Sequence, residues 1–239
     1  MFDFHNDLLT SGLGAEEIQK ILLRYRADGI RPVLAVWTTR GVKTFADVLC
    51  ALAPAVAVGG FRYAIEDLGF LRENEAEQAA AYRFAYVTPT WNRDNALGGG
   101  AYGTSGLTAY GKEVLTRFAA AGTAIDTAHM NERTFWEVAA LPDVRLVNSH
   151  TACAALHPHP RNLTDAQLRR IVDGGGAVGI TPVGAFLCAG KATRADYRRH
   201  LAYFTDQFGA APLRLGSDFY GTDDIPEGLG TYEEISALF

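Results

Sequence analysis

Short apolar runs alternate along this chain with longer stretches of helical spacing. Met1–Phe4 is a brief apolar start, and Ala15–Ala27 carries Ile18, Leu22 and Leu23 on one side of a helix. Arg31–Thr38 (RPVLAVWT) is a near-continuous apolar run, as expected of a strand covered on both faces. Thr44–Val58 reads as a helix that Pro54 should end or kink. Phe61–Ile65 and Phe84–Thr90 predict strands on either side of a helix over Glu73–Tyr82. The glycine-rich segment Ala96–Thr108 predicts a loop, with Gly98–Gly100 as a flexible connection. A helix over Ala109–Ala121 stops at Gly122, a residue favoured just past a helix end. Strands over Thr123–Thr127, Val144–Asn148, Ala177–Thr181 and Leu213–Gly216 complete the apolar runs. Between and after them come helices over Asn131–Ala140, Thr164–Asp173, Arg194–Phe208 and Tyr232–Phe239, with Asn131 and Thr164 as caps.

This rhythm predicts a parallel α/β protein. Eight strand–helix units fit a (β/α)8 TIM barrel with a shortened eighth helix, as one domain over residues 1–239. A doubly wound sheet fits less well, because no glycine fingerprint follows the first strand. Exposed apolar surface is expected near strands one and eight, where a second copy of the chain would form a homodimer. The 239 residues, 48% apolar and 21% charged, are ordinary for a globular chain. A net charge of −5 argues against a nucleic-acid partner. Cys50, Cys153 and Cys188 are too scattered for a disulfide framework or a thiolate zinc site. No stretch reaches the roughly 18 apolar residues of a membrane span. The start, MFDFHNDLLT, lacks the positive region of a signal peptide, so the expectation is a cytoplasmic protein with no membrane partner.

In a barrel, chemistry gathers at the C-terminal ends of the strands. Polar residues fall there repeatedly: His5 and Asp7 after strand one, Glu66 after strand three, Asp126 and His129 after strand five, His150 after strand six and Asp218 after strand eight. His5 and Asp7 are two apart, a spacing that aims both at one side of an extended strand. Three histidines and two carboxylates suffice for two divalent metals that share a carboxylate, with a hydroxide between them. Asp218 suits three roles: a further ligand, a general base or a helix cap. Arg161 is either a clamp for a substrate carboxylate or an ordinary surface arginine. Asp126 suits an orienting role toward an imidazole. His157 and His159 read as solvent-facing or supporting residues, His200 as a solvated helix residue, and Cys153 as a small buried thiol.

These residues resemble the membrane dipeptidase (renal dipeptidase) family of metallopeptidases, within the amidohydrolase-like barrels. The resemblance rests on F-H-N-D at Phe4–Asp7, Ile65–Glu66, V-T-P-T-W-N at Val87–Asn92, G-L-T at Gly106–Thr108, I-D-T-A-H at Ile125–His129, N-S-H-T-A at Asn148–Ala152, H-P-R-N at His159–Asn162 and G-S-D-F-Y-G at Gly216–Gly221. It implies a binuclear centre, usually zinc: His5 and Asp7 on one metal, His129 and His150 on the other, Glu66 bridging. It implies Asp218 as proton shuttle and Arg161 as the grip on a substrate's C-terminal carboxylate. The implied activity is hydrolysis of dipeptides with a free C-terminal carboxylate, D-residues included at that side. Trp91 stands where members often carry a substrate-contacting histidine, and Tyr220 where a second aspartate is common; both are expected to contact substrate. Members usually continue through an eighth helix where this chain stops. The alternatives are a lactonase or N-acyl amino acid deacylase on the same ligands, or a barrel that binds a peptide without cleaving it.

Overall fold

The computed structural model describes all residues, Met1–Phe239. In chain order its elements are β1 (Phe2–Asn6), α1 (Ala15–Ala27), β2 (Arg31–Trp37), α2 (Phe45–Val58), β3 (Arg62–Glu66), α3 (Glu73–Ala81), β4 (Tyr86–Thr88), α4 (Ala109–Ala120), β5 (Ala124–Asp126), α5 (Glu132–Ala139), β6 (Leu146–Thr151), α6 (Asp165–Asp173), β7 (Val178–Ile180), α7 (Gly184–Leu187), α8 (Arg194–Phe208), β8 (Leu213–Leu215) and α9 (Tyr232–Ser236). The strands pair in sequence order, all parallel, and β8 returns to β1, so the sheet closes into a (β/α)8 barrel. After β8 only the five residues of α9 are helical.

Local chemistry explains the element boundaries. Thr44, Thr108, Thr164, Thr193 and Thr231 each cap a helix by accepting an N–H of its first turn. Asn131 does the same for α5. Pro54 does not end α2, which runs on to Val58. The carbonyl that loses its partner belongs to exposed Cys50, while Leu52 and Ala55 anchor the last turns in the core. The sequence pattern gives no sign of α7, a single turn.

Two apolar layers result. Phe4, Val33, Ala35, Ala64, Tyr86, Ala124 and Val147 form one cluster. Leu34 and Val36, the alternate residues of β2, belong instead to the larger layer between sheet and helices. Period-two alternation therefore places the smaller cluster inside the barrel. Gly98–Gly100 form a packed segment and not a flexible one. All three are buried, and Gly99 N–H donates to Thr134 Oγ1 while its carbonyl accepts Asn131 N–H. A Cβ at Gly99 or Gly100 would run into the backbone of Ser105 or Trp91. No helix is long and apolar enough to cross a membrane. An open groove of about 1040 Å³ lies between α1 and α9, lined by Ile21, Tyr25, Phe219, Ile225 and Tyr232.

Candidate metal centre and substrate cleft

The barrel mouth is built by two irregular strands. On β1, the three steps from Asp3 to Asn6 face two steps of β2, from Pro32 to Leu34. On β6, the three steps from Asn148 to Thr151 face two of β7, from Val178 to Ile180. Each is a bulge, and each contains a histidine, His5 or His150. A bulge re-aims a side chain that strict alternation would send elsewhere. It lets Phe4 and His5, adjacent in sequence, both serve the barrel interior. It also corrects the strand-spacing argument for His5 and Asp7. Asp7 lies beyond the strand, at φ −97° and ψ 21°, where a short 3-10 turn begins. The pair still meets, with His5 Nε2 3.1 Å from Asp7 Oδ2.

Around this pair the other ligand candidates converge. Glu66 Oε1 lies 2.8 Å from His129 Nε2, 3.6 Å from His150 Nε2 and 3.9 Å from His5 Nε2. His129 Nε2 and His150 Nε2 are 3.0 Å apart. Asp218 Oδ1 stands 3.8 Å from His5 Nε2. The sets His5–Asp7–Glu66 and Glu66–His129–His150 each bring one ligand atom per residue within 4.8 Å, and Glu66 belongs to both.

The outer nitrogens of the three imidazoles are all engaged. His5 Nδ1 donates to Tyr86 Oη at 2.8 Å, and that hydroxyl in turn donates to the Phe4 carbonyl. His129 Nδ1 donates to Asn92 Oδ1 at 2.8 Å. His150 Nδ1 donates to Ser149 Oγ at 2.8 Å, and Ser149 Oγ donates to Asp126 Oδ2 at 2.6 Å. Asp126 thus reaches an imidazole through Ser149. These partners leave the inward Nε2 atoms as lone-pair donors.

A buried knot of lone pairs and carboxylates is unfavourable unless cations sit in it. Asp7 Oδ1 is buried without any partner. The donor set therefore fits divalent metal: imidazole nitrogens and carboxylates, with each histidine oriented from behind. Protonation in the metal-free site tells the same story. Burial pushes Glu66 well above the usual carboxylate range, and Asp7 beside it adds to the rise. Burial, again joined by Asp7, lifts Asp218 to about 7. Burial works against the His5 imidazolium, but the carboxylates of Asp7, Glu66 and Asp218 outweigh it and raise His5 to about 10. Burial drives His129 and His150 well below 6.5.

Three of the chain's six non-glycine residues with a left-handed backbone stand at the same place. Asp67, His129 and Asp218 adopt φ of 72°, 63° and 57°. Each left-handed non-glycine residue costs about 1–2 kcal/mol, so the neighbouring structure must hold it.

A cleft of about 250 Å³ opens onto the cluster. Trp37, Trp91, Tyr102 and Phe186 wall it, and Asn92, Arg161 and Asp224 supply polar groups. The Trp91 ring lies 5.8 Å from His129 and 5.2 Å from Trp37. Arg161 is only 4% exposed, so it is no surface arginine. Its Nη2 has no hydrogen-bond partner, while its carbonyl accepts Thr151 Oγ1 and its N–H donates to His159 Nδ1.

Two sequence expectations fail here. Tyr220 does not line this cleft. Its left-handed backbone, φ 67°, accompanies a ring that lines the α1–α9 groove, with its hydroxyl 3.3 Å from that of Tyr25. His200 is not solvated. It is 1% exposed, its Nε2 donates to the Leu187 carbonyl and its Nδ1 accepts the Cys153 N–H. Cys153 is buried as expected, and burial raises its thiol to about 12. His157 and His159 stack on each other, outside the metal-candidate groups. The orienting residues Tyr86, Asn92 and Ser149 escaped the sequence reading. Ser149 is signalled only by standing next to His150, Asn92 only by following the T-W of a strand-end motif, and Tyr86 by nothing.

The fold and site together define a (β/α)8 barrel carrying at its C-terminal mouth a cluster of side chains able to hold metal. The chain belongs to the membrane dipeptidase family, peptidase family M19, whose model matches residues 72–239. By family it is a metallo-dipeptidase, a metal-dependent hydrolase. It is 37% identical over 196 residues to an uncharacterized protein in the pqqA 5′ region of Klebsiella pneumoniae, a match spanning 77% of this chain and 69% of that one. It is 28% identical over 194 residues to an uncharacterized dipeptidase of Schizosaccharomyces pombe, a match spanning 77% of this chain but 45% of the yeast protein. Among solved structures, a metallopeptidase from Rhodobacter sphaeroides bound to a phosphinate mimic of L-Ala-D-Ala superposes with a TM-score of 0.81 at 20% identity, over 99% of this chain and 90% of that one. The dipeptidase AC, of the same peptidase family, gives 0.81 at 22% identity, over 99% and 89%. These two likenesses speak for the fold.

Proposed function

We propose that this protein hydrolyses dipeptides with a free C-terminal carboxylate, using two divalent metals. The observation that carries the reading is Arg161, a buried guanidinium with an unpaired nitrogen, lining the same cleft as Glu66, His129 and Asp218. A buried cation open on one side fits a small anion, and guanidinium matches carboxylate through parallel hydrogen bonds. His5 and Asp7 would hold one metal and His129 and His150 the other, with Glu66 shared. Zinc suits these donors, and when bound such ions supply Lewis acidity toward a carbonyl and acidify water.

The chain's own residues do the rest. Arg161 fixes the substrate carboxylate and so sets the distance to the scissile bond. Trp37, Trp91 and Phe186 exclude water and pack the substrate's side chains. Asp218, the carboxylate on the cleft side of His5, takes up a proton at Oδ1 and delivers it to the departing amine. The L-Ala-D-Ala mimic bound by the Rhodobacter neighbour supports including a D-residue at the C-terminal side.

The test is a comparison of substrates. Zinc-loaded protein should cleave L-X-D-Y or L-X-L-Y dipeptides and leave their C-terminal amides, simple lactones and N-acyl amino acids nearly untouched. Asp218→Asn should suppress turnover and retain both metals. Faster cleavage of lactones or N-acyl amino acids, or loss of metal from Asp218→Asn, would overturn the reading.

A further inference from the structure

Asp3 has no part in the chemistry above, yet it is fully buried on β1, two residues before His5. Its Oδ1 accepts the backbone N–H of His5 at 3.2 Å and of Ser217 at 2.9 Å. Its Oδ2 accepts the hydroxyls of Ser217 at 2.7 Å and Tyr232 at 2.6 Å. A carboxylate with each oxygen bonded twice is held firmly and holds its donors firmly. Those donors come from both ends of the barrel closure and from α9.

Between them sits Asp218. Its φ of 57° is unfavourable for a residue with a Cβ, so its conformation depends on its flanks. Ser217 before it is bound to Asp3 through backbone and side chain. Phe219 after it donates its N–H to Ser217 Oγ at 3.1 Å. Asp218 itself donates its N–H to the carbonyl of His5, whose own N–H is held by Asp3. These restraints lead back to one carboxylate, and Phe219 is held in addition by Asp7, whose N–H donates to its carbonyl at 2.9 Å. Tyr232 Oη also accepts Asn6 Nδ2 at 3.0 Å, which ties α9 to the same strand.

We propose that Asp3 is a positioning residue that locks the end of β8 onto β1 and thereby holds Asp218 in the left-handed conformation that aims its carboxylate at the metal cluster. Tyr232 extends the clamp to α9, so the C-terminal helix supports the reaction centre. The proposal rests on reading Asp218 as the proton carrier.

The test uses the zinc-loaded full chain with Asp3→Asn, which preserves shape, and Tyr232→Phe, which removes one hydroxyl and keeps the ring. Asp3→Asn should lower kcat roughly 10- to 100-fold, the scale of a small misplacement of a reacting group. KM should stay within about threefold and metal content should equal the wild type's. Tyr232→Phe should lose a smaller factor, roughly 3- to 10-fold, in kcat alone. A merely structural role would lower the melting temperature and leave kcat per folded, metal-loaded molecule unchanged. That outcome, or a loss that tracks metal content, overturns the proposal, and Tyr232→Phe alone decides it if Asp3→Asn does not fold. Crystal structures of the wild type and variant give a reading free of turnover: residue 218 should leave the left-handed region, and an unchanged φ refutes the clamp. Wild-type protein inactive on every dipeptide would instead overturn the proposed function, with the crystallographic comparison still deciding the role of Asp3.

Discussion

Glu66 Oε1 lies 2.8 Å from His129 Nε2 and, on the other side, 3.9 Å from His5 Nε2. One carboxylate therefore faces histidines from both halves of the cluster. Glu66→Gln keeps the volume and removes the charge. It should cost both metals and not one, with zinc content falling below one ion per chain by elemental analysis. Retention of a full complement by Glu66→Gln would show that the two halves bind independently.

Metal removal should loosen the fold. Stripping the ions leaves inward lone pairs and carboxylates facing one another in a buried site. A ligand at 100 times its dissociation constant stabilises by about 2.7 kcal/mol. In a domain of this size that is roughly 5–10 °C in melting temperature. Calorimetry of chelated and zinc-restored protein should show that difference, reversibly.

Arg161→Met should raise KM for dipeptides by roughly 10- to 100-fold, the loss of a charge-assisted hydrogen-bond pair. Turnover of C-terminally amidated dipeptides, already slow, should be unchanged. Equal losses on acid and amide would place Arg161 outside carboxylate recognition.

Metal binding should release protons. In the metal-free site at pH 7, His5 at about 10 is protonated and Asp218 at about 7 is half so. Burial, with Asp7 beside it, also pushes Glu66 above the usual carboxylate range. The His5 proton must be lost before its Nε2 can ligate, so apparent zinc affinity should rise with pH from neutrality up to about 10. His129 and His150, already neutral there, contribute nothing to the slope. Titration calorimetry in buffers of different ionisation enthalpy counts the protons directly.

Ser149→Ala should weaken metal binding about 10- to 100-fold. It removes the hydroxyl that accepts from His150 Nδ1 and breaks the link to Asp126. Asn92→Ala should do the same through His129, more weakly because that residue lies nearer the open cleft.

Much of this was legible in the sequence because barrel chemistry follows a positional rule. Strand ends can be read from apolar runs, and His5, Glu66, His129, His150 and Asp218 stand at or beside them. What escaped depends on pairs distant in sequence. The partnership of His5 with Tyr86 spans 81 residues, and that of Asp3 with Tyr232 spans 229. Nothing local marks either one. His200 was misread for the same reason: its helix position looks polar, but Cys153 and Leu187 arrive from elsewhere to bury it. For Tyr220 the expectation came from the resemblance alone, and a motif position does not tell that a left-handed backbone sends the ring to the α1–α9 groove. The bulges in β1 and β6 are likewise invisible to a period-two count.

The closure of the barrel is held by few backbone pairs. β1 and β8 share a single registered position, Asp3 opposite Leu215, with one further bridge from Asn6 to Phe219. His5 and Asp7 stand on one side of this seam and Asp218 on the other. The cluster is thus complete only when the last strand has docked beside the first, more than two hundred residues away along the chain. The ligand side chains all stand before the seam and the proton carrier after it, so turnover reports closure where metal content does not: a chain with its last strand undocked should be recognisable as one that holds metal and does not turn over.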